Sequence, residues 1–384
     1  MSFTTSQIAT IAVVFALAIG AASLSRLLLP NRQTGRSRDR ILEGLRGVAA
    51  VGVVACHLNQ HMVAILGFTE PPLLGNHVGI LGVQMFFALT AYLFTRKALA
   101  GEIEAGEFYI GRIRRIVPLY TFVCLAGFAI AWFYTRQQTF PLGAMLSDAM
   151  NTYLYGFAKN DPIEFRGINM LTLIGIAWTL SYEWIFYILL IPAFSLWRQR
   201  GLWRWSLSGV VVVLACRDFM LQSEQIIWPF FLPGVAAALL EEKMPRRIGL
   251  LALCLTPIAI WLVFWLPGFW NPTKLLMASI VFFGILFGRP RWLEGRLLQV
   301  LGASSFSIYL LQYLVIFVAA RVTYGTIGQT TVNRAIAIGS ISVVLIVLLA
   351  ALSYRFIEQR WMTPRSPSPA PAPIPAPGLT AARG

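Results

Sequence analysis

Apolar residues in this chain neither alternate nor recur at amphipathic spacing; they run. Eleven stretches approach or exceed the roughly 20 residues needed to cross a hydrocarbon core. They lie at 7–29, 44–66, 78–95, 116–135, 172–196, 205–221, 225–240, 248–266, 273–288, 298–320 and 334–356. Each predicts a membrane-crossing helix, because in lipid a lone segment satisfies its backbone only as a helix. The expected fold is therefore all-α, a polytopic transmembrane helix bundle of about eleven spans. The stretch 145–157 is shorter and interrupted by polar residues, which predicts an extramembrane or interfacial piece. The first run has no basic region before it, so it reads as a retained anchor rather than a cleaved signal peptide.

The pattern divides the chain into an anchor helix with a basic linker (1–39), a membrane domain (40–362) and a Pro/Ala-rich tail (363–384), expected to be disordered. Composition agrees with lipid rather than water as the solvent. The chain is 57% hydrophobic and 12% charged, about half the charged share of a soluble domain. A net charge of +15 suggests a nucleic-acid partner until its placement is counted. Of the 31 Lys and Arg, 24 fall on the side of the 30–43 loop and 7 on the other. That bias is the signature of topology determinants; it predicts an outside N-terminus and a cytoplasmic C-terminus, with no nucleic acid involved. The four cysteines (Cys56, Cys124, Cys216, Cys254) sit in apolar stretches and read as packing residues.

Ionisable groups within spans are costly, so each is a candidate functional residue. His57 lies roughly 20 Å from the cytoplasmic end of its span and Glu183 roughly 17 Å from the outer end of its own. Glu43 and Arg46 stand at the cytoplasmic start of the His57 helix. Taken singly, each has a structural explanation. His57 could be a hydrogen-bonded core imidazole, Glu183 half of an ion pair, and Arg112, Arg114 and Arg115 ordinary anchors. His57 and His61 share i,i+4 spacing, but no third ligand stands nearby, so no metal site is expected.

The motifs around these residues change the weighing. RILEGLRGVAAVGVVACH (Arg40–His57) resembles the opening of the acyltransferase family 3 membrane proteins, an L-D-G-L-R-G element followed by a helix ending in His, with Arg-x10-His spacing met by Arg46 and His57. GVQMFFALTAYLF (Gly82–Phe94) is similar to that family's G-V-x-x-F-F-x-L-S-G-F-L segment, and FYIGRIRRIVPLY (Phe108–Tyr120) to its Arg-x-x-Arg element. AWTLSYEWIFYILLIP (Ala177–Pro192) places the family's glutamate at Glu183. LGASSFSIYLLQ (Leu301–Gln312) and YRFIEQR (Tyr354–Arg360) resemble the closing motifs. Three positions depart: Glu43 replaces an aspartate, Thr90-Ala91 a Ser-Gly, and Gln312 a late histidine, which removes a titratable group.

The resemblance implies a ten-span core, preceded here by one additional helix, and an O-acyltransferase of the bacterial inner membrane. The donor would be cytoplasmic acyl-CoA, chiefly acetyl-CoA, used as substrate with no permanently bound cofactor. The acceptor would be a glycan: a surface polysaccharide or a lipid-linked precursor. Acyl transfer to a sugar hydroxyl needs a base, and His57 suits that role. Glu183 is expected as a second catalytic residue, orienting His57 or holding substrate. Arg112 and Arg115 are expected to bind the CoA phosphates, and Arg46 to bind phosphate or to lock Glu43. Glu43, Trp178, Tyr182 and Tyr187 are candidate substrate contacts, with helix packing as the alternative for the aromatics. A competing class is a proton-coupled transporter or flippase of a glycolipid using the same buried His and Glu. The sequence shows neither inverted repeats nor paired broken helices to favour it.

Overall fold

A computed structural model of the protein describes residues 3–27, 39–65, 73–158, 163–198, 202–220, 226–324 and 332–362. The helices are α1 (Phe3–Ser25), α2 (Arg40–Ile65), α3 (Leu73–Ala100), α4 (Ala105–Tyr134), α5 (Leu142–Ala158), α6 (Leu171–Ile174), α7 (Trp178–Arg198), α8 (Leu202–Met220), α9 (Leu232–Leu240), α10 (Arg246–Trp265), α11 (Pro272–Gly288), α12 (Arg296–Ala303), α13 (Ser305–Tyr324) and α14 (Val332–Ser353). A two-stranded hairpin, Glu164–Phe165 against Ile168–Asn169, precedes α6. The linker 28–38 and the Pro/Ala-rich tail lie outside the described residues.

Each expected span falls on helical structure within the described residues, although 172–196 comprises α6, a 3₁₀ turn and α7, and 225–240 opens on a 3₁₀ turn before α9. Among the described residues, eight helices are long and apolar enough to cross a membrane, and Trp228–Leu240 and Pro272–Gly288 are shorter apolar helices. The eleventh, α8, has 19 residues and carries Arg204, Arg217 and Asp218. The protein is thus an all-α, multi-pass membrane protein. Large apolar side chains such as Leu125, Ile188, Val213 and Trp261 are more than half exposed, as a lipid-facing surface requires and a water-facing one does not.

One span differs from expectation. The run 298–320 is broken at Ser304 into the eight-residue α12 and the separate α13. Neither Gly nor Pro marks the break itself. Two residues before it, Gly302 packs so closely on the Glu43 backbone of α2 that a Cβ there would meet the Glu43 carbonyl, and both α12 and α13 pack on α2. The last span is also longer than expected, running through a π-helical turn at Tyr354–Glu358 to Met362.

Helix α2 is the centre of the bundle: 83% of its membrane window is buried, against 28% for α1. Its approach to α3 depends on small residues, and a Cβ at Gly82 would stand 2.7 Å from the Ala49 carbonyl oxygen, as close helix packing in lipid requires. Asp39 caps α2, accepting a hydrogen bond from the Ile41 N–H at 2.9 Å and pairing with Arg289 at 2.7 Å. Partial burial alone would raise the Asp39 carboxyl, but the Arg289 guanidinium and the Ile41 and Leu42 amides hold it below its ordinary value. Lys274 is fully buried, yet it donates to the carbonyls of Val263 and Leu266 at the C-terminal end of α10, where a cation is favoured.

Candidate active site

The stretch Phe108–Tyr120 lies within a helix rather than a loop, because Glu104 caps α4 by accepting hydrogen bonds from the Gly106 and Glu107 amides at 3.1 and 2.7 Å. On a helix, i,i+3 spacing puts Arg112 and Arg115 on one face. Arg114 is exposed, while the other two line a cavity of about 70 Å³ shared with Arg46, Glu183 and Tyr187. Three elements distant in sequence, α2, α4 and α7, thus deliver three guanidiniums and one carboxylate to one place, and α3 and the start of α13 complete the lining, the latter with Ser305, Phe306 and Tyr309.

Glu183 is the one carboxylate among the residues that line the cavity. Tyr187 donates to Glu183 Oε2 at 2.7 Å, and the Glu183 charge interacts with Arg115, Arg112 and Arg46. Arg112 lies over the Phe94 ring, 4.5 Å from its centroid, and interacts with the Tyr187 hydroxyl. Its buried Nε has no hydrogen-bond acceptor among the described residues. Arg115 contacts the Met362 sulfur at 3.5 Å and sits 5.9 Å from the Phe306 centroid. Arg46 is 3.5 Å from Glu43, so the ion pair forms while Arg46 also lines the cavity.

Phe86, Thr179 and Tyr309 also line the cavity, and the Tyr309 hydroxyl is 2.9 Å from Thr179 Oγ1. One turn along α13 from Tyr309 stands Tyr313, and Tyr313 meets His57, with ring centroids 4.6 Å apart and Oη 3.3 Å from His57 Nδ1. The same Nδ1 is 3.1 Å from Gln60 Oε1. Gln60 in turn donates through Nε2 to Asn76 Oδ1 at 2.8 Å, linking α2 to α3. The structure therefore brings Arg46, Arg112, Arg115, Glu183 and Tyr187 together and gives His57 different neighbours, Gln60 and Tyr313.

The remaining predicted contacts lie elsewhere. Glu43 is buried behind Arg46 and does not line the cavity. Trp178 and Tyr182 pack on Phe87, and Trp178 also on Trp270, in an aromatic cluster behind the Phe87 wall of the cavity. Gln312, at the position of the family's late histidine, is buried, donates to the Tyr309 carbonyl at 3.0 Å, and leaves its Oε1 without a partner among the described residues. Nothing in the sequence singles out Gln60, Asn76, Tyr309, Tyr313 or Thr179. Ser307 with Glu358 is a further buried pair behind the cavity floor that links two of the closing motifs, Ser307 donating to the carboxylate.

The sequence of this multi-pass helical bundle identifies its family. The chain matches the acyltransferase domain of acyltransferase family 3 over residues 39–354, and it belongs to that family. It is 23% identical over 365 residues to the O-acetyltransferase OatA of Staphylococcus aureus, covering 83% of this chain and 56% of that protein. It is 24% identical over 378 residues to the peptidoglycan O-acetyltransferase OatA of Listeria monocytogenes, covering 85% and 57%. The acyltransferase MdmB of Streptomyces mycarofaciens is 27% identical over 197 residues, 47% of this chain and 46% of the relative. The chain thus spans little more than half the length of the two OatA relatives. No solved structure matches it.

Proposed function

We propose that the protein moves an acetyl group from cytoplasmic acetyl-CoA to a hydroxyl of a glycan at the outer side of the inner membrane, with His57 as general base. The observation that carries the reading is the convergence of Arg46, Arg112 and Arg115 on one cavity that Tyr309 also lines, one helical turn along α13 from the Tyr313 that meets His57. Guanidiniums suit CoA phosphates, which they bind through bidentate, charge-assisted hydrogen bonds. The buried Nε–H of Arg112, which has no acceptor among the described residues, is a donor left over on this cavity-lining side chain. Glu183, with Tyr187, holds the guanidiniums in register rather than orienting His57. The name of the Listeria monocytogenes relative, a peptidoglycan O-acetyltransferase, favours a cell-wall glycan as acceptor.

In the reaction His57 takes the proton from the sugar hydroxyl, whose oxygen attacks the thioester carbonyl. The C–S bond breaks as the C–O bond forms, and the CoA thiolate leaves with the proton returned by His57. This requires a lone pair facing the substrate. Gln60 Oε1 can only accept, so Nδ1 carries the hydrogen and Nε2 the lone pair. Asn76 keeps Gln60 in that orientation by accepting from its amide nitrogen, and the Tyr313 hydroxyl supplies a second acceptor. With three histidines in the chain, ¹⁵N spectra can be assigned by single substitutions. The His57 signals should show the Nδ1–H tautomer in the parent and a mixture in Gln60→Leu, with a fall in turnover but unchanged CoA binding. A predominantly Nε2–H imidazole in the parent would contradict the assignment.

The orientation rests on the 24-to-7 bias in basic residues. A reporter after Met362 should read as cytoplasmic and one within α5 as external; the reverse would place the arginine cavity on the wrong face for CoA. The activity itself is tested by the reconstituted protein, which should release CoA from acetyl-CoA when a glycan acceptor is supplied. Untouched acetyl-CoA beside proton-driven movement of a glycolipid would overturn the reading in favour of a transporter.

A further inference from the structure

A second cavity, about 650 Å³, lies on the other side of α2 and α3 from the charged one. The two share no lining residue, yet they share walls. Leu45 and Met85 face the second cavity, where their neighbours Arg46 and Phe86 face the first. Its remaining walls come from α10, α11 and, through Ile11 and Phe15, α1. Helix α1 precedes the span 39–354 matched by the family, so this chain closes the cavity with an element added to the family core.

The lining is apolar apart from Thr256, whose hydroxyl already donates to the Ala252 carbonyl at 2.9 Å. A cavity of this kind offers water no partners and stays dry. Here its walls are helices that cross the membrane, so hydrocarbon is the medium at hand. Along α10 it runs from Leu253 to Phe264, a rise of roughly 16 Å, which is about one leaflet of a 30 Å hydrocarbon core. One end is marked by Pro290 and Trp292. Trp292 is 62% exposed, as at a membrane interface, and it is flanked by exposed Arg291 and by Arg289. An apolar slot one leaflet deep, rimmed by Trp and Arg, matches a lipid with a hydrocarbon chain and an anionic headgroup.

We propose that this cavity is a binding site for one chain of an anionic phospholipid, with the headgroup at Trp292 and Arg291. The bound chain fills the space behind α2 and α3 and supports the wall that carries Arg46 and Phe86. The site does not depend on the acyltransferase reading, since it uses none of the residues assigned to it.

Phospholipid retained by the protein after purification in mild detergent, measured by native mass spectrometry, tests the proposal. The parent should keep close to one phosphatidylglycerol-class lipid per chain. Ile260→Trp and, independently, Ile11→Trp fill the slot from opposite walls. Each should retain roughly tenfold less, a change of about 1.4 kcal/mol, while keeping the parent's helical circular dichroism. Arg291→Glu should shift retention toward zwitterionic lipid. Added phosphatidylglycerol should raise the Tm of the parent and not that of the filled variants. Equal retention by the parent and both filled variants would mean annular lipid only and would overturn the site. A polyprenyl-linked lipid in the slot would overturn the phospholipid assignment.

Discussion

His57→Ala should abolish most acyl transfer, by about 10²–10⁴-fold, the usual worth of a positioned general base, and leave the bundle folded. Folding should survive because the imidazole's partners, Gln60 and Tyr313, are polar groups at partly open positions, and Gln60 keeps its bond to Asn76. Binding of CoA should also survive, since the guanidiniums line a cavity that His57 does not. His61, one turn further along α2, is the internal control: it has no part in the proposed chemistry, so His61→Ala should be milder. In the parent, the pH–rate profile should show an ascending limb from the titrating base, and His57→Ala should lack it. Full activity in His57→Ala would remove the base from the mechanism and leave the arginine cavity without its reaction.

Arg112→Ala and Arg115→Ala should each raise the KM for acetyl-CoA by about 1.5–3 kcal/mol, or roughly 10- to 100-fold. Lysine at either position should recover only part of this, since it lacks the planar fork. The two variants should differ in one respect. Arg112 is stacked on Phe94 and interacts with Tyr187, so its loss also loosens the Tyr187–Glu183 pair, whereas Arg115 leans on Met362 and Phe306. Arg114→Ala, on the exposed face of the same helix, should leave KM unchanged. Normal CoA binding in both Arg112→Ala and Arg115→Ala would reduce these residues to topological anchors.

What is legible in the sequence depends on the kind of signal each feature leaves. Long apolar runs announce spans directly, and each of the eleven falls on helical structure. Charged residues inside or beside such runs stand out because lipid penalises them. Arg46, Arg112, Arg115 and Glu183 are therefore visible as candidates from the sequence alone, and the fold gathers them into one cavity. The expected link between Glu183 and His57 depends on which helix faces which, and the structure gives the two residues different partners. Gln60, Asn76 and Tyr313 leave no such signal, because neutral polar side chains are common in helices. Their significance lies in pairings across 16 and 256 residues of chain. Trp178 and Tyr182 illustrate the converse: aromatic residues near a motif pack with other aromatics as readily as they meet a substrate. The break at Ser304 is invisible for a similar reason, since it sits beside a tertiary contact, the docking of Gly302 on α2.

In the proposed reaction an acyl group enters from cytoplasmic acyl-CoA and leaves as a glycan ester. The most direct measurement uses reconstituted vesicles in which labelled acetyl-CoA is supplied only at the face that carries Met362, with a cell-wall glycan acceptor at the other. The expected result is hydroxylamine-labile acetyl ester on the glycan, CoA released in equal amount, and neither product with His57→Ala. Label that stays in acetyl-CoA in the presence of acceptor, or ester that forms equally with His57→Ala, would contradict it.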